Sequence, residues 1–198
     1  MYPHNFHQSH ELEKTYQDKA DEFYLKYLNS TQIKRYNQDT EEDLKYQRKD
    51  IDVSVLKDDT WVHFSEKFRT IDYGDIYLEL YSKFHETKGW MDTSEADFLV
   101  YFVPERVIII NEKSLRNFYQ TYLIPHIEYQ WIESFYENNK EKNAKQHLEI
   151  DISGRKLKTT LIQAFNKTKE AKWHTIGLSL KLSVFDKYGV KWKEYSLK

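Results

Sequence analysis

Residues 51–68 read IDVSVLKDDTWVHFSEKF, and this stretch decides the fold. In its first five residues the apolar side chains fall at every second position, with Asp52 and Ser54 between them, which is the period of a β-strand. The Asp58-Asp59 pair predicts a turn, and a second strand follows it. The stretch therefore predicts a β-hairpin in which Asp52 and Ser54 share one face of the first strand.

A long amphipathic helix is predicted before the hairpin. Between about Ser9 and Asn29, apolar residues recur at three- and four-residue steps with charges between them, as a helix with one buried face requires. These residues are Leu12, Tyr16, Ala20, Phe23 and Tyr27. Because most of them are aromatic, rings are expected to supply much of the buried area of the core.

The rest of the chain predicts further strands and helices. Apolar runs predict strands at Ile76–Leu80, Phe98–Val103, Arg106–Ile110 and Ile176–Leu182. Helical spacing predicts helices at about 115–122, with Ser114 as the N-cap, at about 127–136, and at Leu157–Phe165. Because the last four residues of the run ending at Ile110 are all apolar, that strand is expected to be covered on both faces. This favours an α/β layered domain.

Composition bounds the class of protein. The chain has 198 residues, enough for one sizeable core, so a single domain is expected. The absence of cysteine excludes a disulfide framework, thiolate zinc sites and a cysteine nucleophile. The formal net charge is -2, so the overall charge does not indicate a polyanion-binding protein, and any contact with nucleic acid has to come from local patches.

The N-terminal residues contain no apolar stretch as long as that of a signal peptide. No window approaches the roughly 20 apolar residues that are needed to span a bilayer. A cytoplasmic protein with no membrane contact is therefore expected.

Two residues of the hairpin have the chemistry of a reaction centre. A carboxylate at the start of one strand, Asp52, and a lysine in the next strand, Lys67, can meet at one end of the sheet. Such a carboxylate can hold a hard cation that positions water and neutralises a phosphate, while the ammonium stabilises developing charge. His63 shares the strand face of Lys67, so it is a candidate proton shuttle or phosphate contact.

The order of the elements carries a resemblance to a known family. An initial helix precedes three expected hairpin-linked strands, with Asp on the second element and Lys on the third. Four short motifs accompany this order: Ile51-Asp52, Ser65-Glu66-Lys67-Phe68-Arg69, Asp75-Ile76-Tyr77-Leu78-Glu79, and Gly89-Trp90 followed by Ala96-Asp97. Over residues 10 to 123 the chain resembles the PD-(D/E)xK nuclease superfamily, and within it small phage-type proteins.

The resemblance implies a fold and an activity. The fold would be a restriction-endonuclease-like mixed sheet flanked by helices, in a single domain over 1–198. Its core would span about 10–123, with a C-terminal helix and strand extension over about 124–198. The activity would be hydrolysis of DNA phosphodiester bonds, with Mg²⁺ or Mn²⁺ as the cofactor.

The resemblance also implies roles for individual side chains. The metal ligands would be Asp52 with an acid from Glu66 or Glu79, and Lys67 would assist the attacking water. Phosphate contacts would come from three residues near the lysine, namely Arg69, Ser65 and His63.

One position departs from the family pattern. On a regular strand Ser65 and Lys67 share a face, so a serine stands where the superfamily has its second acid, and Glu66 points with the apolar residues. A bulge could turn Glu66 toward the metal, or Glu79 could replace the missing ligand, or no metal binds. A Glu66 left among aromatic rings would have to pair, for instance with Arg69, or become protonated.

Two other functions remain open at this point. The first is a catalytically inactive protein with the nuclease fold, which binds DNA or a protein of the phage or host. If the protein is phage-encoded, it would act in the host cytoplasm. The second is an assembly protein that uses its aromatic surface, since the chain has 16 Tyr, 11 Phe and 5 Trp.

Overall fold

The computed structural model describes residues 6–37 and 39–197, with side chains from Tyr16 onward. Its α-helices are α1 (Phe6–Tyr27), α2 (Glu41–Gln47), α3 (Trp90–Thr93), α4 (Glu112–Phe118), α5 (Tyr129–Glu137) and α6 (Leu182–Lys187). A π-helix (Tyr119–Leu123) and a 3-10 helix (Ile124–His126) follow α4. Its strands are β1 (Gln32–Arg35), β2 (Val53–Lys57), β3 (Thr60–Phe68), β4 (Asp75–Lys83), β5 (Thr87–Lys88), β6 (Phe98–Val103), β7 (Arg106–Asn111), β8 (Ala144–Ile152), β9 (Arg155–Lys167), β10 (Lys172–Lys181) and β11 (Trp192–Ser196). The fold is α/β, with two sheets flanked by helices.

The contacts divide the chain into two compact units. The first unit contains residues 7–37, 39–73, 93–113 and 191–197, and the second contains residues 74–92 and 114–190. Each unit holds one of the two sheets. The units do not follow the expected division at about residue 123, because the last strand of the chain belongs to the first unit.

The sheet of the first unit is mixed, as predicted. Its six strands lie in the order β1-β2-β3-β6-β7-β11, and β3 pairs with β6 in parallel while the other neighbours are antiparallel. The predicted hairpin is confirmed as β2 and β3, with Lys57 opposite Thr60. Asp58 and Asp59 both have positive φ, 47° and 59°, which suits the tight turn of a two-residue hairpin loop.

Helix α1 covers part of one face of this sheet, and its prediction is confirmed. Ala20, Phe23 and Tyr24 are fully buried against Val53, Val55, Phe64, Val100 and Phe102. The ring centroids of Phe23 and Phe102 lie 5.8 Å apart, edge to face. Leu12, which was predicted for the same helix face, has a side chain outside the described residues.

The sheet of the second unit is antiparallel, in the order β5-β4-β10-β9-β8. The predicted strand Ile76–Leu80 exists as part of β4, but it pairs with β10 and β5. The expectation of three hairpin-linked strands in one sheet is therefore wrong for its third member. Within the expected C-terminal helix and strand extension over about 124–198, residues 144–181 supply three strands, β8, β9 and β10.

Three of the predicted elements need correction. Leu157–Phe165 is strand β9 rather than a helix, because alternate residues from Leu157 to Gln163 are buried. Ser114 lies inside α4, which begins at Glu112, so it is not an N-cap. The strand predicted at Ile176–Leu182 is part of β10, which ends at Lys181, and Leu182 begins α6.

The predicted run over Val107–Ile110 is covered on both faces, since Val107, Ile108, Ile109 and Ile110 are all buried. The helix predicted at about 127–136 is confirmed as α5. No helix in the described part of the chain combines the length and the apolar character that crossing a membrane requires.

A glycine in the centre of the second sheet makes room for an aromatic ring. A Cβ added to Gly177 would lie 2.5 Å from Cζ of Tyr77 and 2.4 Å from the carbonyl oxygen of Leu78. We expect Gly177→Ala to lower the free energy of unfolding by about 1–3 kcal/mol, because the neighbours must shift to admit the methyl group. Chemical denaturation followed by circular dichroism measures the change.

Gly189→Ala is the matched control, since nothing lies within 4 Å of its added Cβ and only its φ of +71° is strained. Its expected cost is about 1–2 kcal/mol, from the left-handed backbone alone. A Gly177→Ala variant as stable as the parent would contradict the close packing of Tyr77 on this strand.

Candidate functional site

The alternation of β3 directs successive side chains to opposite faces of the sheet. Phe64, Glu66 and Phe68 point toward α1, and Phe64 and Phe68 pack in the core beneath that helix. Ser65 and Lys67 point to the opposite face, as predicted. The pairing of β3 with β2 and β6 runs without a register shift, so no bulge turns Glu66 away from the α1 side.

A cluster of acids and a lysine lies on the face opposite α1. Oγ of Ser65 donates a hydrogen bond to Oδ2 of Asp50 at 2.6 Å, and Nζ of Lys67 donates to Oδ1 of the same carboxylate at 2.9 Å. Oδ2 of Asp52 accepts a hydrogen bond from the backbone N–H of Glu66 at 2.7 Å. These four residues, Asp50, Asp52, Ser65 and Lys67, are called the acid–lysine cluster below.

Asp50 owes its position to the end of α2. Its N–H donates to the carbonyl oxygen of Gln47 at 3.0 Å, and the N–H of Ile51 donates to that of Tyr46 at 3.1 Å, which is the Schellman pattern. Asp50 has a φ of 54°, a conformation that glycine usually supplies at this point. The chain therefore keeps an aspartate in a strained backbone conformation here. Such strain is found mostly at functional sites, which makes the Asp50 carboxylate a candidate functional group.

Sequence reasoning missed Asp50 and selected only Asp52 from this segment. The two aspartates are separated by one residue just before β2, and this repetition was the available signal. It was insufficient because the contact of Asp50 with Lys67 depends on the helix end that precedes the strand.

The electrostatics of the cluster show an excess of negative charge. Burial raises the pKa of Asp52 to about 7, the Lys67 ammonium opposes the rise, and the nearby Asp50 and Glu66 carboxylates reinforce it. Burial alone would lower the pKa of Lys67, but Asp50 and Asp52 outweigh it and hold that pKa above its ordinary value. Lys67 is therefore a permanent cation at neutral pH.

Glu66 belongs to a separate buried network under α1. Nη1 of Arg35 donates to Oε2 of Glu66 at 2.6 Å, Nη2 donates to Oε1 at 3.2 Å, and the hydroxyl of Tyr24 donates to Oε1 at 2.9 Å. Nε of Arg35 also donates to Asp21 at 2.9 Å. Only 3% of the Glu66 side chain and 12% of the Arg35 side chain are exposed. Both carboxylate oxygens of Glu66 are thus engaged on the α1 side.

The expected pairing of Glu66 with Arg69 is wrong, since Arg35 takes that place. The Arg69 guanidinium lies over the ring of Tyr101, 4.7 Å from its centroid. Arg69 follows β3 two residues after Lys67, so its position continues the face of the acid–lysine cluster. Arg35 had no signal in the sequence beyond being a charged residue in a short alternating stretch.

His63 is held by its own hydrogen-bond chain. Its Nδ1 lies 2.6 Å from Oγ of Ser54, which lies 3.0 Å from the hydroxyl of Tyr36. The backbone N–H of His63 donates to Oδ2 of Asp97 at 2.8 Å. Tyr36 in turn stacks on Tyr46 with ring centroids 4.0 Å apart. These hydrogen bonds fix the position of the imidazole. Asp97, an exposed aspartate, serves as a hydrogen-bond acceptor for the backbone of β3.

Glu79 lies on β4, in the sheet of the second unit, opposite Gly177 of β10. The acid–lysine cluster is built from residues of the first unit alone. Of the expected ligand set, Asp52 therefore lies in the cluster, Glu66 lies on the other face of β3, and Glu79 belongs to the other sheet.

The metal-binding capacity of the cluster lies in its two aspartates. Within residues 6–37 and 39–197, no group of three or more histidines, aspartates or glutamates is arranged to hold a metal ion. Mg²⁺, however, commonly takes one or two protein carboxylates and keeps several waters. Asp50 and Asp52 retain lone pairs beyond their hydrogen bonds, and one lysine does not balance their charge. This pair fits Mg²⁺ or Mn²⁺ in donor chemistry.

No protein-family model matches the sequence, and no curated protein or solved structure matches it either.

The buried Arg35–Glu66 pair leads to a stability prediction. We expect Arg35→Met to lower the free energy of unfolding by about 3–5 kcal/mol, because Glu66 is then buried without a cation. The double variant Arg35→Met, Glu66→Leu should recover most of that loss, since neither charge remains. Urea denaturation measures both, and equal stabilities for the single and double variants would contradict the pairing.

The raised pKa of Asp52 leads to a prediction about pH. In the unfolded chain an aspartate has a pKa near 4. Between about pH 4 and pH 7 the folded state therefore holds a proton on Asp52 that the unfolded state has lost. The free energy of unfolding consequently falls as pH rises through this window, and Asp52 adds no further change above it.

We expect Asp52→Asn to abolish this fall in the free energy of unfolding with rising pH. With EDTA present, the variant should melt about 3 °C or more above the parent at pH 8, and the two should converge near pH 4. Calorimetry across this pH range measures the difference. Asp59→Asn, at an exposed turn of the same hairpin, is the control; it keeps Asp52, so its melting temperature should follow that of the parent at every pH. A constant difference at all pH values would contradict the assignment.

Proposed function

We propose that the first unit is a nuclease-like phosphodiesterase that hydrolyses DNA with Mg²⁺ or Mn²⁺ at the acid–lysine cluster. The observation that carries the proposal is the contact of Lys67 with Asp50 at 2.9 Å, beside an Asp52 carboxyl whose pKa is raised to about 7. Perturbed acids next to a fixed cation are typical of reaction centres.

The cation would be held by Asp50 and Asp52 rather than by the set that the sequence predicted. When bound, it would supply the charge that neutralises a phosphate and orients a water molecule. It would also oppose the effect of burial on the pKa of Asp52, since a nearby divalent charge favours the carboxylate. Ser65 contributes by holding the Asp50 carboxylate through its hydroxyl.

Lys67 acts in this proposal as a charge stabiliser. Because its pKa is raised, its ammonium is protonated at neutral pH and cannot accept a proton from water. It can contact a phosphate oxygen on which negative charge develops. Arg69 continues the same strand face and offers a second phosphate contact. Because the net charge of the chain is -2, attraction to phosphates has to come from such local positive charges.

A specific observation favours a second candidate, a catalytically inactive protein that binds DNA or a phage or host protein. Ser65 stands where the nuclease superfamily has an acid, and Glu66 is engaged by Arg35. The second acid of the family pattern is therefore missing from its expected position on β3. Such a protein would keep the sheet and the phosphate contacts but would not hydrolyse its ligand.

Cleavage assays test the leading candidate. We expect the parent to cleave plasmid DNA with Mn²⁺ and not with EDTA, and Lys67→Gln to reduce the rate by about 100-fold or more, since it removes the charge that stabilises the transition state. Asp52→Asn should reduce both the rate and the affinity for Mn²⁺ in calorimetric titration. Circular dichroism establishes that the variants are folded.

Asp59→Asn is the matched control for the loss of a carboxylate, and it should cleave like the parent. Mn²⁺ binding without cleavage of DNA would favour the inactive candidate. Cleavage that persists in both Asp52→Asn and Lys67→Gln would overturn the assignment of the site.

A further inference from the structure

A groove lies on the face of the first unit's sheet that α1 covers only in part. It has a volume of about 600 Å³ and lies beside Leu28, just beyond the end of α1. Its floor is apolar and crosses the sheet through Val55, Val62, Phe98, Ile109 and Tyr195. A groove of this size with an apolar and aromatic lining is typical of small-molecule sites.

The groove is separate from the acid–lysine cluster. Phe64 lines the groove, whereas Ser65, the next residue of β3, belongs to the cluster. Because successive side chains of a strand point to opposite faces, the two sites lie on opposite faces of one sheet. A ligand of the groove would therefore not occupy the proposed reaction centre.

The charges along the groove have one sign. Among the described residues that line it, Lys57, Lys191 and Lys193 are the charged ones, and none is acidic. Lys191 and Lys193 lie at the β11 end, and Lys57 lies at the end of β2. Nζ of Lys193 also lies 4.6 Å from the ring centroid of Tyr195, which holds its charge at the edge of the apolar floor.

We propose that this groove binds a long-chain aliphatic carboxylate, an anion of the fatty-acid class. The carboxylate would contact Lys191 and Lys193, and the chain would lie over Ile109 and Phe98 toward Val62. From β11 to β2 the sheet has four strand spacings, about 19 Å in total, which is room for an extended chain. The apolar floor supplies the affinity, and the lysines select an anion over a neutral lipid.

Calorimetric titration of the full chain with octanoate, decanoate and dodecanoate tests the proposal. We expect one saturable site, with affinity rising by up to about fourfold for each added methylene, because each one removes apolar surface from water. Decan-1-ol should bind at least about tenfold more weakly than decanoate, since it lacks the charge. Phospholipid vesicles should not sediment with the protein, because the ligand is a free acid.

Two variants separate the groove from nonspecific binding. Val62→Trp should fill part of the groove and weaken the binding of decanoate by about tenfold or more. Lys191→Gln with Lys193→Gln should weaken the binding of decanoate toward the affinity of decan-1-ol. Because both lysines are exposed, this variant is expected to fold even if Val62→Trp does not. The control, Lys167→Gln with Lys169→Gln in the second unit, should bind like the parent.

The proposal fails if no saturable binding is seen, or if decanoate and decan-1-ol bind alike. It also fails if the lysine variant and its control bind decanoate equally. Binding of an acidic amphipathic peptide in place of the carboxylates would overturn the assigned ligand class. None of these results bears on DNA cleavage, which depends on the opposite face of the sheet.

Discussion

The buried ion pair between Arg35 and Glu66 is the polar contact that connects the elements of the first unit's core. It joins β1 to β3, and through Tyr24 and Asp21 it joins both strands to α1. A glutamate among the aromatic rings of this core would be costly without a cation, and the two Arg35 hydrogen bonds offset part of that cost. With Glu66 satisfied on this side, β3 runs as a regular strand and presents Ser65 and Lys67 on the other side.

The acid–lysine cluster depends on a second constraint, the left-handed conformation of Asp50. A helix end with a Schellman pattern commonly carries glycine, which has no carboxylate. Here the aspartate combines the turn with a side chain that reaches both Ser65 and Lys67. The result is two acids and one cation in a partly buried place. Burial is the main cause of the raised pKa of Asp52, and the nearby carboxylates add to it.

The two faces of the β2–β3 hairpin thus differ chemically, as the two-residue period of strands allows. The face under α1 is aromatic and apolar, and the part that α1 leaves open forms the groove beside Lys57 and Lys193. The opposite face holds the acids, Lys67 and the chain of hydrogen bonds from His63 to Tyr36. A ligand of one face need not disturb the other.

The sequence by itself determined the local features. The alternation around Asp52 and Lys67 predicted the hairpin and the face of each side chain, because a two-residue period leaves a regular strand no alternative. It also predicted α1, whose apolar spacing is helical over several turns. The helix that the apolar spacing predicted at Leu157–Phe165 was wrong, because apolar residues four positions apart also fit a strand. The alternation of this strand was not visible in the sequence, since two of its buried residues, Thr159 and Gln163, are polar.

Only the tertiary structure decided the partners. The strand around Ile76 pairs in the second sheet, because the hydrogen-bonding groups of a strand edge do not specify which strand they meet. Glu66 is paired with Arg35 and Asp50 with Lys67, although neither acid's partner is marked by spacing in the chain. These contacts bring together residues that are 31 and 17 positions apart, and only the folded arrangement of helix end and strands makes them neighbours.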